Sequence, residues 1–429
     1  MLLSVKNHTF ILISFAIMSN CFDFLPDKLF NIQLVDIGYL IFYTSALYTV
    51  KPSTLFRNHT EGYVKVLDLF MLLMLVSLFW SLFVFKYPVI ESIKASRHML
   101  LGYLLYYIFV QIFEKNGKAF HSILDSLYYI TFFLMFVFIA QYHLNIPIFS
   151  GYTRVSSEGI RSIPMFIPII LLFLWNNASK ILLGVHTRMF DKFYVLLACY
   201  SVVLTMTRGI YFAVFLTLSV MVMVLISQNK GNRVRLYFVL TSIMVLIAVL
   251  VVSGALGDKL DKFADLAASG VSDIKGDSKG DENTFGFRML LLAERSELVL
   301  SHNPFIGYGF IHEDIAAKQV KYIIGTANDD TGFPSFLTPD IAWANLLVYT
   351  GFTGVGVFIV FFVSIAVNFF RNKVASDNEF YLSRLAFFME IIVLVVLMAD
   401  SSIFTDKLHI PSLMLASFTY CSRQAKLAS

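Results

Sequence analysis

Uninterrupted apolar runs close to bilayer length recur along almost the whole of this 429-residue chain, and they constrain its fold more than any other feature. A helix needs about 20 such residues to cross a hydrocarbon core. Where no water is available, every backbone amide must be bonded within the segment itself. Candidate spans lie near 9–25, 30–50, 64–85, 98–113, 121–141, 162–176, 192–207, 209–227, 235–254, 341–370, 382–399 and 409–421. The runs are continuous rather than alternating, which excludes a β-barrel. Composition agrees, with 58% hydrophobic and 14% charged residues against about 45–50% and about 25% in soluble domains. The expected fold class is an all-α polytopic membrane protein of about 12 transmembrane helices.

Orientation follows from where the cations fall. Lys51, Arg57 and Lys65, then Lys115 and Lys118, then Lys180, Arg188 and Lys192 share one side under this count. Lys230, Arg233 and Arg235 join them, as do Arg371, Lys373 and Arg384, with Lys6, Arg423 and Lys426 at the ends. Both termini are therefore expected in the cytoplasm, and residues 255–340 outside. That segment holds eight Lys and Arg against fourteen Asp and Glu, a net of −6, in a chain whose total is +4. The expected organisation is an N-terminal bundle over 1–254, an external loop over 255–340 and C-terminal helices over 341–429. Within the loop, Ser269–Asn283 has linker-like composition. Cys21, Cys199 and Cys421 lie far apart without metal-type spacing, and an odd count frames no disulfide set. The first run reads as a retained span rather than a signal peptide.

Chemistry is expected where polar residues interrupt this background. Arg208 stands between two apolar runs with only Thr207 and Gly209 beside it. An arginine at that depth is costly unless it snorkels to the interface or pairs with an anion. Its planar, permanently charged fork suits a phosphate. Arg288 opens an amphipathic stretch over 287–301, stopped by Asn303-Pro304, that also carries Glu294, Arg295 and Glu297. This stretch reads either as a surface helix on the membrane or as a lid over a cavity. Asp340 follows a proline and precedes a helix, so it is a candidate N-cap and equally a candidate general base. His302, His312 and Asp314 are nearby alternatives. A second external loop offers Arg154, Glu158 and Arg161, whose plainest reading is a surface salt-bridge cluster. Asp36, Asp68 and Glu390 fall inside apolar runs, where a charge is expensive.

Three segments in order carry a resemblance. Thr207-Arg208-Gly209 before an apolar span resembles the Ser/Thr-Arg-Gly/Ser turn of the O-antigen ligase and polymerase superfamily. Phe287-Arg288, followed by Asn303-Pro304-Phe305-Ile306-Gly307-Tyr308-Gly309, is similar to its Arg…Pro-x-x-Gly-x-Gly segment. Asp340 through Asn345 to Gly351 and Gly354 resembles the part that follows the large periplasmic loop. Ligases of the family begin this last motif with His-Asn; here that position is Asp340-Ile341.

The resemblance implies a GT-C-like membrane glycosyltransferase in a bacterial inner membrane, acting on undecaprenyl-diphosphate-linked glycans at the periplasmic face. A polysaccharide polymerase is the expected branch. An O-antigen ligase, joining the glycan to lipid A-core or another acceptor, is the nearer alternative, and a lipid-linked oligosaccharide flippase the more distant one. Arg208, Arg288 and Asp340 are the expected catalytic residues. Arg154, Arg161, Glu158, Arg295 and His302 are the expected substrate-binding set. The external loops contain no Asp-x-Asp motif, so neither a divalent metal nor another cofactor is expected. Expected partners are the lipid-linked glycan, membrane lipids, a chain-length regulator and a flippase, with no nucleic acid.

Overall fold

A computed structural model describes residues 2–19, 21, 22, 24, 25, 28, 29, 32–47, 62–115, 117–149, 152–156, 159–163, 166–185, 187–205, 208–227, 285–322, 326, 327, 334–337, 341–371, 379–398 and short pieces between 413 and 421. Its helices are α1 (Leu2–Met18), α2 (Leu34–Leu47), α3 (Gly62–Phe83), α4 (Val89–Lys115), α5 (Gly117–Leu144) and α6 (Ile167–Leu183). They continue as α7 (Met189–Leu204), α8 (Arg208–Ser227), α9 (Phe285–His302), α10 (Glu313–Gln319), α11 (Ala342–Arg371) and α12 (Glu379–Leu397). The expected spans up to residue 227, and those at 341–370 and 382–399, coincide with helices. The one at 235–254 lies outside the described residues, as does most of 409–421.

Among the described residues, four helical stretches are long and apolar enough to cross a membrane: Gly62–Phe83, His121–Leu144, Ile210–Ser227 and Ala342–Phe370. Thr9–Met18, Leu34–Ala46 and Ile167–Leu183 are apolar but shorter. The described residues thus bear out the expected count of twelve only in part. Charges lie along α4 at Glu91, Lys94, Arg97, Glu114 and Lys115, while most of α12 is apolar apart from Arg384 and Glu390. The purely α expectation also misses three short antiparallel ribbons: Lys28–Leu29 with Ile32–Gln33, Tyr152–Ser156 with Gly159–Ile163, and Thr326–Ala327 with Pro334–Ser335.

Aromatic packing holds the bundle together. Phe109 of α4 meets Phe15 of α1 and Phe42 of α2, with ring centroids 5.8 and 5.2 Å apart. Tyr128 of α5 stacks on Tyr194 of α7 at 4.5 Å. Such pairs add specific geometry to the burial of large apolar surfaces. Two of the three acidic residues inside apolar runs, Asp36 and Asp68, are hydrogen-bonded, as the cost of an isolated buried carboxylate demands. Asp68 accepts a hydrogen bond from the Tyr107 hydroxyl at 2.5 Å. Asp36 lies 3.0 Å from both Arg97 Nε and His98 Nε2. Glu390 is fully buried in α12 beside the indole of Trp175 in α6.

The bundle has two distinguishable ends. At one, Glu91 near the start of α4 faces His312 before α10 at 3.5 Å; α9, α10 and the start of α11 gather there. At the other, about 40 Å away along a 27-residue helix, α4 finishes, α5 begins, α6 turns into α7 and α11 ends.

Candidate functional site

At the first end, a chain segment docks into a break in a helix. α11 departs from helical geometry at Gly351, with φ 63° and ψ −169°. A break in a long apolar helix leaves backbone groups without their i−4 partners, and these must be bonded again where water is scarce. The turn after α9 does this. The Tyr308 N–H donates to the Val348 carbonyl at 2.8 Å, and the Phe352 N–H donates to the Pro304 carbonyl at 2.9 Å. From the third side, the Ser77 hydroxyl of α3 donates to the Tyr349 carbonyl. The Ser81 hydroxyl accepts from the Phe310 N–H at 2.7 Å.

The approach is too close for side chains. A Cβ on Gly351 would lie 2.5 Å from the Phe305 carbonyl carbon and oxygen, and one on Gly307 would lie 2.4 Å from the Val348 oxygen. Both glycines also have positive φ, which L-residues adopt only at a cost. Asn303 shapes the turn, its Oδ1 accepting from the Phe305 and Ile306 N–H groups at 3.1 Å each. The Gly-x-Gly segment is therefore a backbone joint between α3, α9 and α11.

Helix α9 hangs from this joint. Arg288, Arg295 and His302 are spaced by seven residues, so they share one helical face. The same face carries Leu291 and Val299, both fully buried. Leu291 packs with Ile341 and Ala344 at the start of α11. Arg288 lies one turn from Leu291 and is half-buried. Asp340 and its side chain lie outside the described residues, but its neighbour Ile341 is buried in that contact.

Arg295 occupies a different environment from Arg288. It is fully buried, and its Nε donates to the Phe336 carbonyl at 3.0 Å. Nη1 meets Glu294 at 2.5 Å, while the guanidinium lies over the rings of Phe336 and Tyr322 at 4.6 and 5.1 Å. Burial lowers its pKa, opposed by the charge of Glu294. From α10, the Glu313 carboxylate accepts the Phe336 and Leu337 N–H groups at 2.5 and 2.8 Å. Residues 336–337, just before α11, are thus clamped between an arginine and a glutamate. This arginine, expected to bind substrate, has its donors turned inward to protein. At the end of α9, His302 stacks on Tyr308 with centroids 4.2 Å apart and planes 4° from parallel. Burial lowers its pKa.

The remaining expected residues are placed less fully. Arg208 is the first residue of α8; its side chain and Thr207 lie outside the described residues. Positions 154 and 161 sit directly opposite each other in the β-ribbon after α5, and Glu158 is outside the described residues. The β-branched residues Thr153, Val155, Ile160 and Ile163, on either side of Ser157-Glu158-Gly159, are the signal that could have found this ribbon.

Sequence reasoning also passed over polar groups at the start of α4. Arg97 donates to Asp36 at 3.0 Å and to Gln33 Oε1 at 2.9 Å. Nearby, single ligand atoms of Glu91, His312 and Asp314 lie within 4.8 Å of one another. This is the arrangement among the described residues that could hold a metal ion, although Glu91 already pairs with Lys94 at 3.0 Å.

Residues 193–359 match the family model described as O-Antigen ligase. This match covers less than half of the chain and supports its resemblance to the O-antigen ligase and polymerase superfamily. The match runs from α7 to the middle of α11, so it contains Arg208, Arg288, Asp340 and the whole backbone joint except its α3 serines. It supports an activity of the O-antigen ligase or polymerase type in a membrane protein. A search of curated proteins finds no significant match.

Proposed function

We propose that this chain is a polysaccharide polymerase. It would transfer a growing glycan from undecaprenyl diphosphate to a lipid-linked repeat unit at the external face of a bacterial inner membrane. The observation that carries this reading is the family segment 193–359, which encloses Arg208, Arg288 and Asp340, together with the packing that seats the Arg288 helix on the start of α11. Asp340 in place of the ligase His-Asn start favours the polymerase branch over the ligase.

In the proposed reaction, the acceptor hydroxyl attacks the anomeric carbon of the donor sugar. A new C–O bond forms, and the bond from that carbon to the diphosphate oxygen breaks. The diphosphate leaves with the electron pair, and Arg208 and Arg288 stabilise its charge. The hydroxyl proton passes to Asp340, with Glu158 and His302 as the next candidates. Arg154 and Arg161 would hold a second diphosphate. Arg295, with Glu313, acts as a positioning residue that fixes residues 336–337 ahead of α11. The reading is of a GT-C-type enzyme without a catalytic metal, with both termini in the cytoplasm. Its domains would be the 1–254 bundle, the 255–340 loop and the 341–429 helices, and a chain-length regulator and a flippase would be its partners.

The glycan made by a deletion strain tests the assignment. Single repeat units attached to the final acceptor are the expected product. Full-length glycan left on undecaprenyl diphosphate would make the chain a ligase. Lipid-linked repeats trapped inside the cell would make it a flippase.

A further inference from the structure

The far end of the bundle holds a cavity that the proposed glycan chemistry does not use. It has a volume of about 560 Å³ and lies between α5, α6 and α7, with Leu382 of α12 at its edge. This is within the common range for small-ligand sites, about 300–1,000 Å³. Helical spacing creates it. His121, Asp125 and Tyr128 or Tyr129 recur on one face of α5, and Phe173, Asn176, Asn177 and Lys180 on one face of α6. Arg188 and Asp191 come from the start of α7.

A fixed hydrogen-bond network braces these walls. The Tyr128 hydroxyl donates to Asp191 Oδ1 at 3.0 Å, and Asn177 Nδ2 donates to the Tyr128 oxygen at 3.3 Å. Asp191 Oδ2 accepts the Arg188 backbone N–H at 3.0 Å, which holds the rim where α6 turns into α7. Two cations, Lys180 and Arg188, therefore share the cavity with two carboxylates, Asp125 and Asp191, and with aromatic walls.

An exposed apolar track leads away from the mouth. On α5, Tyr129, Phe133 and Phe136 are 57%, 66% and 42% exposed, and on α7 Phe193 and Leu196 are 43% and 63% exposed. The two rows meet where the Phe136 and Phe193 rings lie 6.1 Å apart. They run along the His121–Leu144 stretch, which is long and apolar enough to cross a membrane.

We propose that this cavity binds the headgroup of a zwitterionic phospholipid from the leaflet opposite α9. Lys180 and Arg188 take the phosphate through charge-assisted hydrogen bonds. Asp125 and Asp191 take the ammonium, against the aromatic faces of Tyr129 and Phe190. The acyl chains lie along the Phe133, Phe136, Phe193 and Leu196 track. Mixed charge selects this headgroup: a purely anionic one would bring no cation to the Asp125 and Asp191 carboxylates, and a sugar would bring no anion to Lys180 and Arg188.

The test is native mass spectrometry of the delipidated full-length protein, titrated separately with phosphatidylethanolamine, phosphatidylglycerol, soluble phosphoethanolamine and inorganic phosphate. Phosphatidylethanolamine is expected to bind roughly tenfold or more tightly than each of the others. Lys180→Gln should weaken it by roughly tenfold, the scale of one charge-assisted contact. Asp125→Asn should remove the preference over phosphatidylglycerol. Equal binding of the two lipids would overturn the headgroup assignment. Inorganic phosphate or phosphoethanolamine binding as tightly as the lipid would overturn the role of the apolar track. Unchanged binding in both variants would place the lipid elsewhere. If Lys180→Gln does not fold, the comparison of lipids on the unaltered protein still decides.

Discussion

The two ends of the bundle solve opposite problems. At the α9 end, backbone lies against backbone: glycines remove side chains so that Tyr308 can reach Val348 and Phe352 can reach Pro304. At the other end, side chains from three helices stand apart and leave about 560 Å³ between them. One region is filled to the point where a methyl group has no place. The other is open and lined by groups with bonding capacity. The contrast teaches that the glycine-rich segment 307–309 serves here as a joint. The candidate residue Arg288 is carried by α9, which hangs from that joint.

Substitution at Gly351 should give the largest effect and tests the joint directly. Gly351→Ala forces a Cβ to within 2.5 Å of Phe305 backbone atoms, and should cost ~3 kcal/mol or more. Gly356→Ala, five residues on, meets nothing within 4 Å and should be neutral or stabilising by about 0.5–1 kcal/mol. Thermal unfolding of the two purified variants checks this, and equal midpoints would remove the joint from the argument.

The next contrast lies within α9. Arg288→Lys should cut polymerisation on the order of 100-fold with normal expression, since an ammonium cannot reproduce a bidentate grip on phosphate. Arg295→Lys should instead lower stability by about 2 kcal/mol, through loss of the Phe336 carbonyl contact and of ring stacking. Glycan chain length measured per folded protein, beside the unfolding midpoint, separates the two. Retained polymerisation in Arg288→Lys would take that residue out of the proposed site.

At the cavity end, Tyr128→Phe removes the hydrogen bonds to Asp191 and Asn177 and should cost about 1 kcal/mol. That is well below the Gly351 effect. A loss as large would mean that the cavity wall is as tightly built as the joint.

The smallest effect concerns pH. Burial lowers the His302 pKa, so the folded protein favours neutral imidazole. Its contribution is full above the ordinary value of about 6.5 and is lost as pH falls through the lowered folded value. Acidification should therefore loosen the His302–Tyr308 stack, by under about 1 kcal/mol, and His302→Phe should flatten this part of the stability curve. Parallel curves for the two proteins would show that the stack does not sense pH.

Much of this was legible in the chain itself. Continuous apolar runs located the helices because period and length suffice when water is absent. The amphipathic stretch 287–301 emerged as α9 with nearly the same ends. The site was less legible. Arg288 and Arg295 look alike in sequence, both on a helix rich in leucine. Only packing against Phe336 and Glu294 buries one and leaves the other half-open. The β-ribbon at 152–163 was missed because five-residue strands give weak periodicity against an apolar background. The partners of Asp36 and Asp68 come from helices 61 and 39 residues away, a distance that no local pattern encodes.

By itself, the sequence determined the apolar character, the helical segments and the match of residues 193–359 to a family model, because these depend on local composition, period and motif. Tertiary structure decided that the Gly-x-Gly segment mends a broken helix, that Arg295 braces the bend at residues 336–337, and that faces of α5 and α6 enclose a charged cavity. Those outcomes depend on which surfaces meet, and contact between remote segments is set by the packing of the whole chain.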